Sequence, residues 1–192
     1  MSMALVLSIL LSLTYFDASC DSVRGSVLRL HILANSDSKY DQQIKLKVRD
    51  RLLAESGELF EQVYSYDEAV KKAEENLPLL QKAAQDELEQ LGCNLPVKVE
   101  VAKSDFSTRE YEEVTLPAGE YTALRVLIGD AQGKNWWCVC YPNMCIPAVS
   151  QTKEIGSALD KQSTKIVTNS KKYVVRFKIV EIYQSIKAKL SK

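Results

Sequence analysis

The chain has 192 residues, 46% of them hydrophobic and 26% charged, which is the balance of an ordinary soluble domain rather than of a disordered or multi-span membrane chain. Its 25 Lys and Arg are matched by 25 Asp and Glu, so no overall positive field exists to hold a polyphosphate backbone, and nucleic acid is not an expected partner. Beyond an N-terminal segment of about twenty residues, the remaining length suits one domain.

That first segment is an apolar run from Ala4 to Phe16, followed by Asp17, Ala18, Ser19 and Cys20. It has the length of a signal-peptide core rather than a full membrane span, so residues 1–22 read as a signal peptide or N-terminal membrane anchor ahead of a domain over 23–192. Ser19 is small enough to precede a cleavage site, and Cys20 invites a lipid-anchored reading.

Val27–Leu33 alternates Arg29 and His31 against Leu28, Leu30 and Ile32, as a strand does. Ala34-Asn35-Ser36-Asp37-Ser38 follows, a cluster whose side-chain oxygens favour turns and helix N-caps. Ile44, Val48 and Leu52 then recur every four residues, which predicts a helix over Asp41–Ala54, stopped by Gly57. Ser65-Tyr66-Asp67-Glu68 has the form of a capping box and opens a long helix with apolar residues from Val70 to Leu91. Pro78 is expected to kink or divide it, and Gly92 to close it.

From Leu95 the period becomes two. Val97, Val99 and Val101 form one strand, Tyr111–Leu116 a second and Tyr121–Ile128 a third, with a tight turn at Pro117-Ala118-Gly119-Glu120. These are expected to form an antiparallel meander. A polar loop, Gly129–Asn135, leads into Trp136-Trp137-Cys138-Val139-Cys140-Tyr141-Pro142-Asn143-Met144-Cys145. Val175, Ile179, Ile182, Ile186 and Leu190 predict a final amphipathic helix over Lys172–Lys189. The expected fold is therefore α+β, a single domain with an antiparallel sheet packed against helices, preceded by the apolar export segment.

His31 is the only histidine, so any imidazole chemistry must use it. On a strand its commoner role is a structural hydrogen bond; a thiol hydrolase would pair it with Cys138, Cys140 or Cys145. The spacing Cys-x-Cys-x4-Cys is not a common zinc pattern, and no metal or other cofactor is expected. In an exported chain the cysteines read first as disulfides, with Cys138 and Cys145 the pair that closes a short loop. Gly129 to Lys134 is one residue short of a phosphate loop and lacks its Ser or Thr. Glu74-Glu75 and Glu112-Glu113 are read as solvated faces, since neighbours on a helix or strand point apart. Of Trp136 and Trp137, a strand would turn one inward and one outward, toward a surface suited to binding; the alternative packs both under the final helix.

Two stretches carry a family resemblance: RLHILANSDSKYDQQIKLKVRDRLL, ending at Leu53, and LPAGEYTALRVLIGDAQGKNWWCVCYPNMCIP, from Leu116 to Pro147. Together they cover about a third of the chain, and both resemble stage II sporulation protein R of endospore-forming bacteria. The resemblance implies a protein exported from the forespore into the space between the two membranes of the sporulating cell, with membrane contact only through the N-terminal segment. There it would act as a signal to a membrane-bound, aspartic-type protease of the mother cell, which processes pro-sigma-E. It implies no enzyme and no catalytic residue. His31, Asn35, Ser36, Asp37, Asn135, Trp136 and Trp137 are the candidates for the partner-binding surface. The rival expectations are a secreted Cys/His thiol hydrolase and a lipid-anchored structural protein of the septum.

Overall fold

The structure, a computed structural model, describes residues 2–60, 62–111, 114–142 and 151–190. Cys145 and the Glu112-Glu113 pair lie outside the described residues. The elements run α1 (Ser2–Arg24), β1 (Leu28–Leu33), α2 (Lys39–Phe60), α3 (Tyr66–Glu75), α4 (Leu77–Gln90), β2 (Val97–Phe106), β3 (Arg109–Tyr111), β4 (Val114–Leu116), β5 (Gly119–Ile128), β6 (Asn135–Tyr141), α5 (Gln151–Ala158), α6 (Lys161–Thr168) and α7 (Val174–Leu190). The fold is α+β. The chain divides into two compact units, one of Val27–Ser104 and Thr122–Pro147, the other of Met1–Ser26, Asp105–Tyr121 and Ala148–Lys192.

In the first of these units the helices form where local chemistry asks for them. Ser38 Oγ accepts from the Asp41 backbone N–H at 3.0 Å and starts α2. Ile44, Val48 and Leu52 form its buried stripe, but the helix does not stop at Gly57; it continues to Phe60. A glycine inside a helix costs about 1 kcal/mol, less than the roughly 2 kcal/mol that burying the Phe60 ring returns. Ser65 Oγ accepts from Glu68 N at 3.2 Å, while Glu68 Oε2 reaches back to Tyr64 N at 3.1 Å, so the capping box closes one residue earlier than its usual form. Pro78 divides the long helix rather than kinking it: α3 ends at Glu75 with Asn76 as its cap, and Pro78 sits in the first turn of α4, where its missing N–H is not needed. Gly92, at φ 67°, follows the end of α4.

The sheet corrects the expected antiparallel meander. Its order is β2-β5-β1-β6, and it is mixed: β1 runs parallel to β5 and antiparallel to β6. Parallel partners need a long crossover, and α2, α3 and α4 lie between β1 and β5 in the chain. The stretch expected as the middle strand is instead a separate two-stranded piece, β3 with β4 in the register Glu110↔Thr115. The expected turn at Pro117–Glu120 is where β5 begins, and the Tyr121 hydroxyl donates to Pro117 O at 2.7 Å.

The register sorts the strands into two faces. Leu28, Leu30 and Ile32 share one with Leu124, Val126, Trp136 and Cys138; Arg29, His31 and Leu33 share the other with Ala123, Arg125, Asn135 and Trp137. The first face is the one α2 covers, since the Arg49 guanidinium lies 4.3 Å from the Trp136 ring centre.

In the second unit α1, α6 and α7 enclose a core of Phe16, Cys20, Ile166, Phe177 and Val180, with Tyr173 against it. Phe16 meets Phe177 edge-on with ring centres 5.2 Å apart. Arg24, buried, donates to Ala118 O at 2.7 Å and pairs with Asp21 at 2.7 Å and Asp17 at 3.2 Å. The segment expected to serve export is thus one continuous helix whose final turns belong to a core. Among the described residues no helix is long and apolar enough to cross a membrane. Cys20 is wholly buried, and burial pushes its thiol up to about 12.

Helices α5 and α6 were not anticipated. The signal for α6 was present: Asp160 Oδ1 accepts from the backbone N–H groups of Gln162 and Ser163 at 2.8 and 3.0 Å. The Ser163 hydroxyl first, then the backbone of Ser163, hold its carboxyl down at about 2. The final helix forms as expected, but it is anchored through Phe177 and Val180, and the stripe from Val175 to Leu190 faces solvent.

Candidate functional site

The residues singled out in the sequence fall into two neighbouring groups on the sheet-bearing unit. The first is a clasp between the loop after β1 and the loop before β6. Asn35 donates from Nδ2 to Asp41 Oδ2 at 2.9 Å, and Ser36 Oγ donates to the same oxygen at 2.5 Å. With its own Oδ1, Asn35 accepts from Asp130 N at 3.0 Å, and its carbonyl accepts from Gln132 N at 3.1 Å. Asp37 Oδ1 takes the Lys134 N–H at 2.7 Å, and Ala34 O takes the Gly133 N–H at 2.8 Å.

Lys45, buried on α2, completes the clasp from below by donating to Lys134 O at 2.9 Å and Gln42 Oε1 at 2.6 Å. Burial lowers its pKa, Asp37 opposes that shift, and Arg49 and Lys134 add to it. The Ser36 hydroxyl, followed by the Asn35 amide, holds the Asp41 carboxyl below its usual range. Two glycines let the loops meet. A Cβ on Gly133 would collide with the Ser36 carbonyl, and one on Gly129 with the Asn35 amide. The unusual strings ANSDS and GDAQGK are therefore two halves of one hydrogen-bonded structure. What they leave exposed is a rim of Asp37, Asp130, Gln132, Lys134 and Asn135.

The second group stands on the face of β1 opposite to α2. His31, 8% exposed, meets Asn135 Oδ1 through Nε2 at 2.7 Å and Ser104 Oγ through Nδ1 at 3.2 Å. An amide oxygen can only accept, so the proton sits on Nε2 and Nδ1 accepts from the hydroxyl. Trp137, half-buried, stacks beside the imidazole with ring centres 6.1 Å apart. Trp136 points to the opposite face, with the Arg49 guanidinium over its ring. The alternation expected of the two tryptophans holds, with Trp137 as the one on the outer group.

The His/Cys pairing for a thiol hydrolase does not form among the described residues. Cys138 lies across from Leu30, on the face that His31 leaves, and both ring nitrogens of His31 are engaged. Cys140 is free, buried, and pushed up to about 12 by that burial, which keeps it a thiol at neutral pH. The proposed Cys138–Cys145 bridge has one end outside the described residues. Nor do three or more His, Cys, Asp or Glu side chains gather as a metal set among the described residues.

Burial lowers the His31 pKa from its ordinary 6.5; the Asn135 hydrogen bond opposes this, and Arg125 and Arg29 add to it. The native state therefore resists the proton that the unfolded chain accepts. The stability this contributes is complete above about 6.5 and is lost as pH falls from there toward the depressed native value. Because the chain has one histidine, its imidazole resonance in proton NMR is a single titration curve, expected to centre below 6.5. A midpoint at or above 6.5 contradicts the buried geometry. His31→Gln should flatten the wild-type fall in urea midpoint between pH 7 and the native pKa.

Asp41, Lys45, Ser104, Gly129 and Gly133 are site residues that motif reading passed over. In the sequence Gly129 and Gly133 read as part of a polar loop that falls short of a phosphate loop, although two glycines flanking a polar turn are also a signal of close backbone approach.

The fold and this site define an α+β protein that carries a hydrogen-bond-clasped, partly exposed surface at the end of a mixed sheet. The chain belongs to the stage II sporulation protein R family, whose model matches residues 24–151. It is 36% identical over 143 residues to a protein of Bacillus subtilis (strain 168) described as stage II sporulation protein R. The match covers 74% of this chain and 64% of that relative's length. No solved structure matches the chain. The family is one of sporulation proteins, and its span holds the whole of both the clasp and the His31 group.

Proposed function

We propose that the protein is a secreted sporulation signal: exported from the forespore, it binds a membrane-embedded aspartic-type protease of the mother cell and switches it on to process pro-sigma-E. A ligand shifts a receptor between states only by the difference in its affinity for them, so the signal needs a surface of defined shape rather than reactive groups. The observation that supports this reading is the clasp. It spends the side chains of Asn35, Ser36 and Asp41 on holding the rim still, and a surface ordered in advance loses less freedom on binding. Asp37 in the rim and Trp137 beside it stay as candidate contacts, and the Cys138–Cys145 bridge would tie down the chain that follows β6.

The test is reconstitution of the protease with its pro-sigma substrate, with and without this protein. Asp130 and Lys134 enter the clasp through their backbones, so Asp130→Arg with Lys134→Glu changes the rim and leaves the clasp intact. This double variant should keep the wild-type thermal midpoint and lose at least tenfold in processing, about 1.4 kcal/mol of coupling. Trp137→Ala should lose a similar amount. Full processing by both variants removes this surface from the signal; full processing with no protein added removes the signalling role itself.

A further inference from the structure

We infer that the outer face of α7 is a docking surface for an anionic lipid bilayer. The inner face of this helix is taken: Phe177 and Val180 are buried against Phe16, Cys20 and Ile166. On the opposite side stand Val175, Ile179, Ile182, Tyr183, Ile186 and Leu190, all exposed, with Val175 at 72% and Leu190 at 83%. At 3.6 residues per turn these six positions form one continuous stripe about 100° wide. A helix that is apolar on two opposed faces needs something to cover the second one.

The charges say what. By the same period, Lys178 and Lys189 lie along one edge of the stripe and Arg176 and Lys187 along the other, although the Arg176 guanidinium turns back over the rings of Phe16 and Tyr173, 5.9 and 5.7 Å from their centres. Glu181 is the single acid of α7, and it sits beside the inner face, where it pairs with Lys178 at 3.2 Å. The turn before α7 adds Lys171 and Lys172, both exposed. An apolar stripe edged on both sides by long cationic side chains suits a helix lying in the plane of a membrane interface. The stripe enters the acyl boundary while the lysine ammonium groups bend up to the phosphates. A second copy of this chain fits poorly, because pairing two such faces sets cations against cations along both edges, and the single acid of α7, Glu181, is already taken by Lys178.

The sequence expectation confines membrane contact to the N-terminal segment. The α7 face is a second contact, at the other end of the chain and outside the 24–151 span of the family match. It does not depend on the proposed signalling role, but it would hold the protein at a membrane surface.

Co-sedimentation of the full chain with vesicles tests this, comparing phosphatidylcholine alone with phosphatidylcholine containing phosphatidylglycerol. The same unit exposes Leu7, Leu11 and Tyr15 on α1, so each variant is compared with wild type in the full chain. Wild type should bind the anionic vesicles more tightly, and the excess should fall with salt. Lys178→Gln with Lys189→Gln should weaken anionic binding about 30-fold. Ile182→Asp with Ile186→Asp should abolish the anionic excess; these two residues are 52% and 53% exposed, so the circular dichroism and melting midpoint should stay at wild-type values.

Any of four results overturns the inference. Equal binding to both vesicle types, or binding untouched by either variant, assigns the contact to α1. No binding at all leaves the face to a protein partner. A dimer seen by sedimentation equilibrium and dissolved by the Ile182→Asp and Ile186→Asp pair assigns it to a second copy.

Discussion

Asp41→Ala is expected to lower the stability of the sheet-bearing unit by about 3 kcal/mol. One carboxylate oxygen accepts from both Asn35 Nδ2 and Ser36 Oγ, and Asp41 is buried. Removing it leaves two donors without their charged acceptor, at roughly 1.5 kcal/mol each. The loss spreads, because Asn35 also holds Asp130 and Gln132, and Ser36 holds the Ser38 N–H at 3.1 Å. An acid in the first turn of α2 also goes, and with it a favourable interaction with the helix N-terminus.

Urea unfolding should show a lower midpoint with an unchanged slope. Asp41→Asn, which keeps an acceptor but not the charge, should lose about half as much. The difference between wild type and Asp41→Ala also has a pH signature. The native carboxyl is held below its ordinary 3.8, so its contribution is complete above that value and lost as pH falls through the depressed one. The two proteins should therefore converge in acid. A variant within 0.5 kcal/mol of wild type at pH 7 means that the clasp does not hold the loops.

Phe16→Ala should cost the other unit about 4 kcal/mol. The ring is 1% exposed and packs edge-on against Phe177 and tilted against Tyr173, with Cys20, Ile166 and Val180 completing the shell. Truncation leaves a cavity between α1 and α7 that neither helix can close without losing its other contacts. A thermal melt of the full chain should show the loss, and intact mass on the same sample makes the outcome decisive. If the export segment is cut after Ser19, Phe16 leaves with it and the variant is silent in the mature protein. An uncut chain that melts at the wild-type midpoint would show instead that α1 is not part of this core.

The two substitutions also mark the line between what short-range chemistry could foretell and what it could not. Ile44, Val48 and Leu52, the Ser65 cap, Pro78 and Gly92 were readable because each acts on residues within one or two turns of itself. The alternation of Val27–Leu33 was readable for the same reason, and with it the opposite facing of Trp136 and Trp137. The partner of a strand was not. Alternation tells which side chains share a face and nothing about which strand lies alongside, so β1 could not be seen to run parallel to β5.

The same limit shaped the site. His31, Asn35, Ser36, Asp37 and Asn135 stood out because their strings are compositionally unusual, yet their roles come from bonds such as Asn35 to Asp130 and His31 to Asn135, which join residues far apart in the chain. Asp41 and Lys45 read in the sequence as ordinary charges on a helix; the loop after β1 folds back onto Asp41, and the loop before β6 comes down on Lys45. In α7 the period correctly placed an apolar stripe, but the helix carries a second apolar row in Phe177 and Val180. Periodicity names both rows and cannot rank them, because the choice belongs to Phe16, some 160 residues earlier, which packs on one row and leaves the other to face outward.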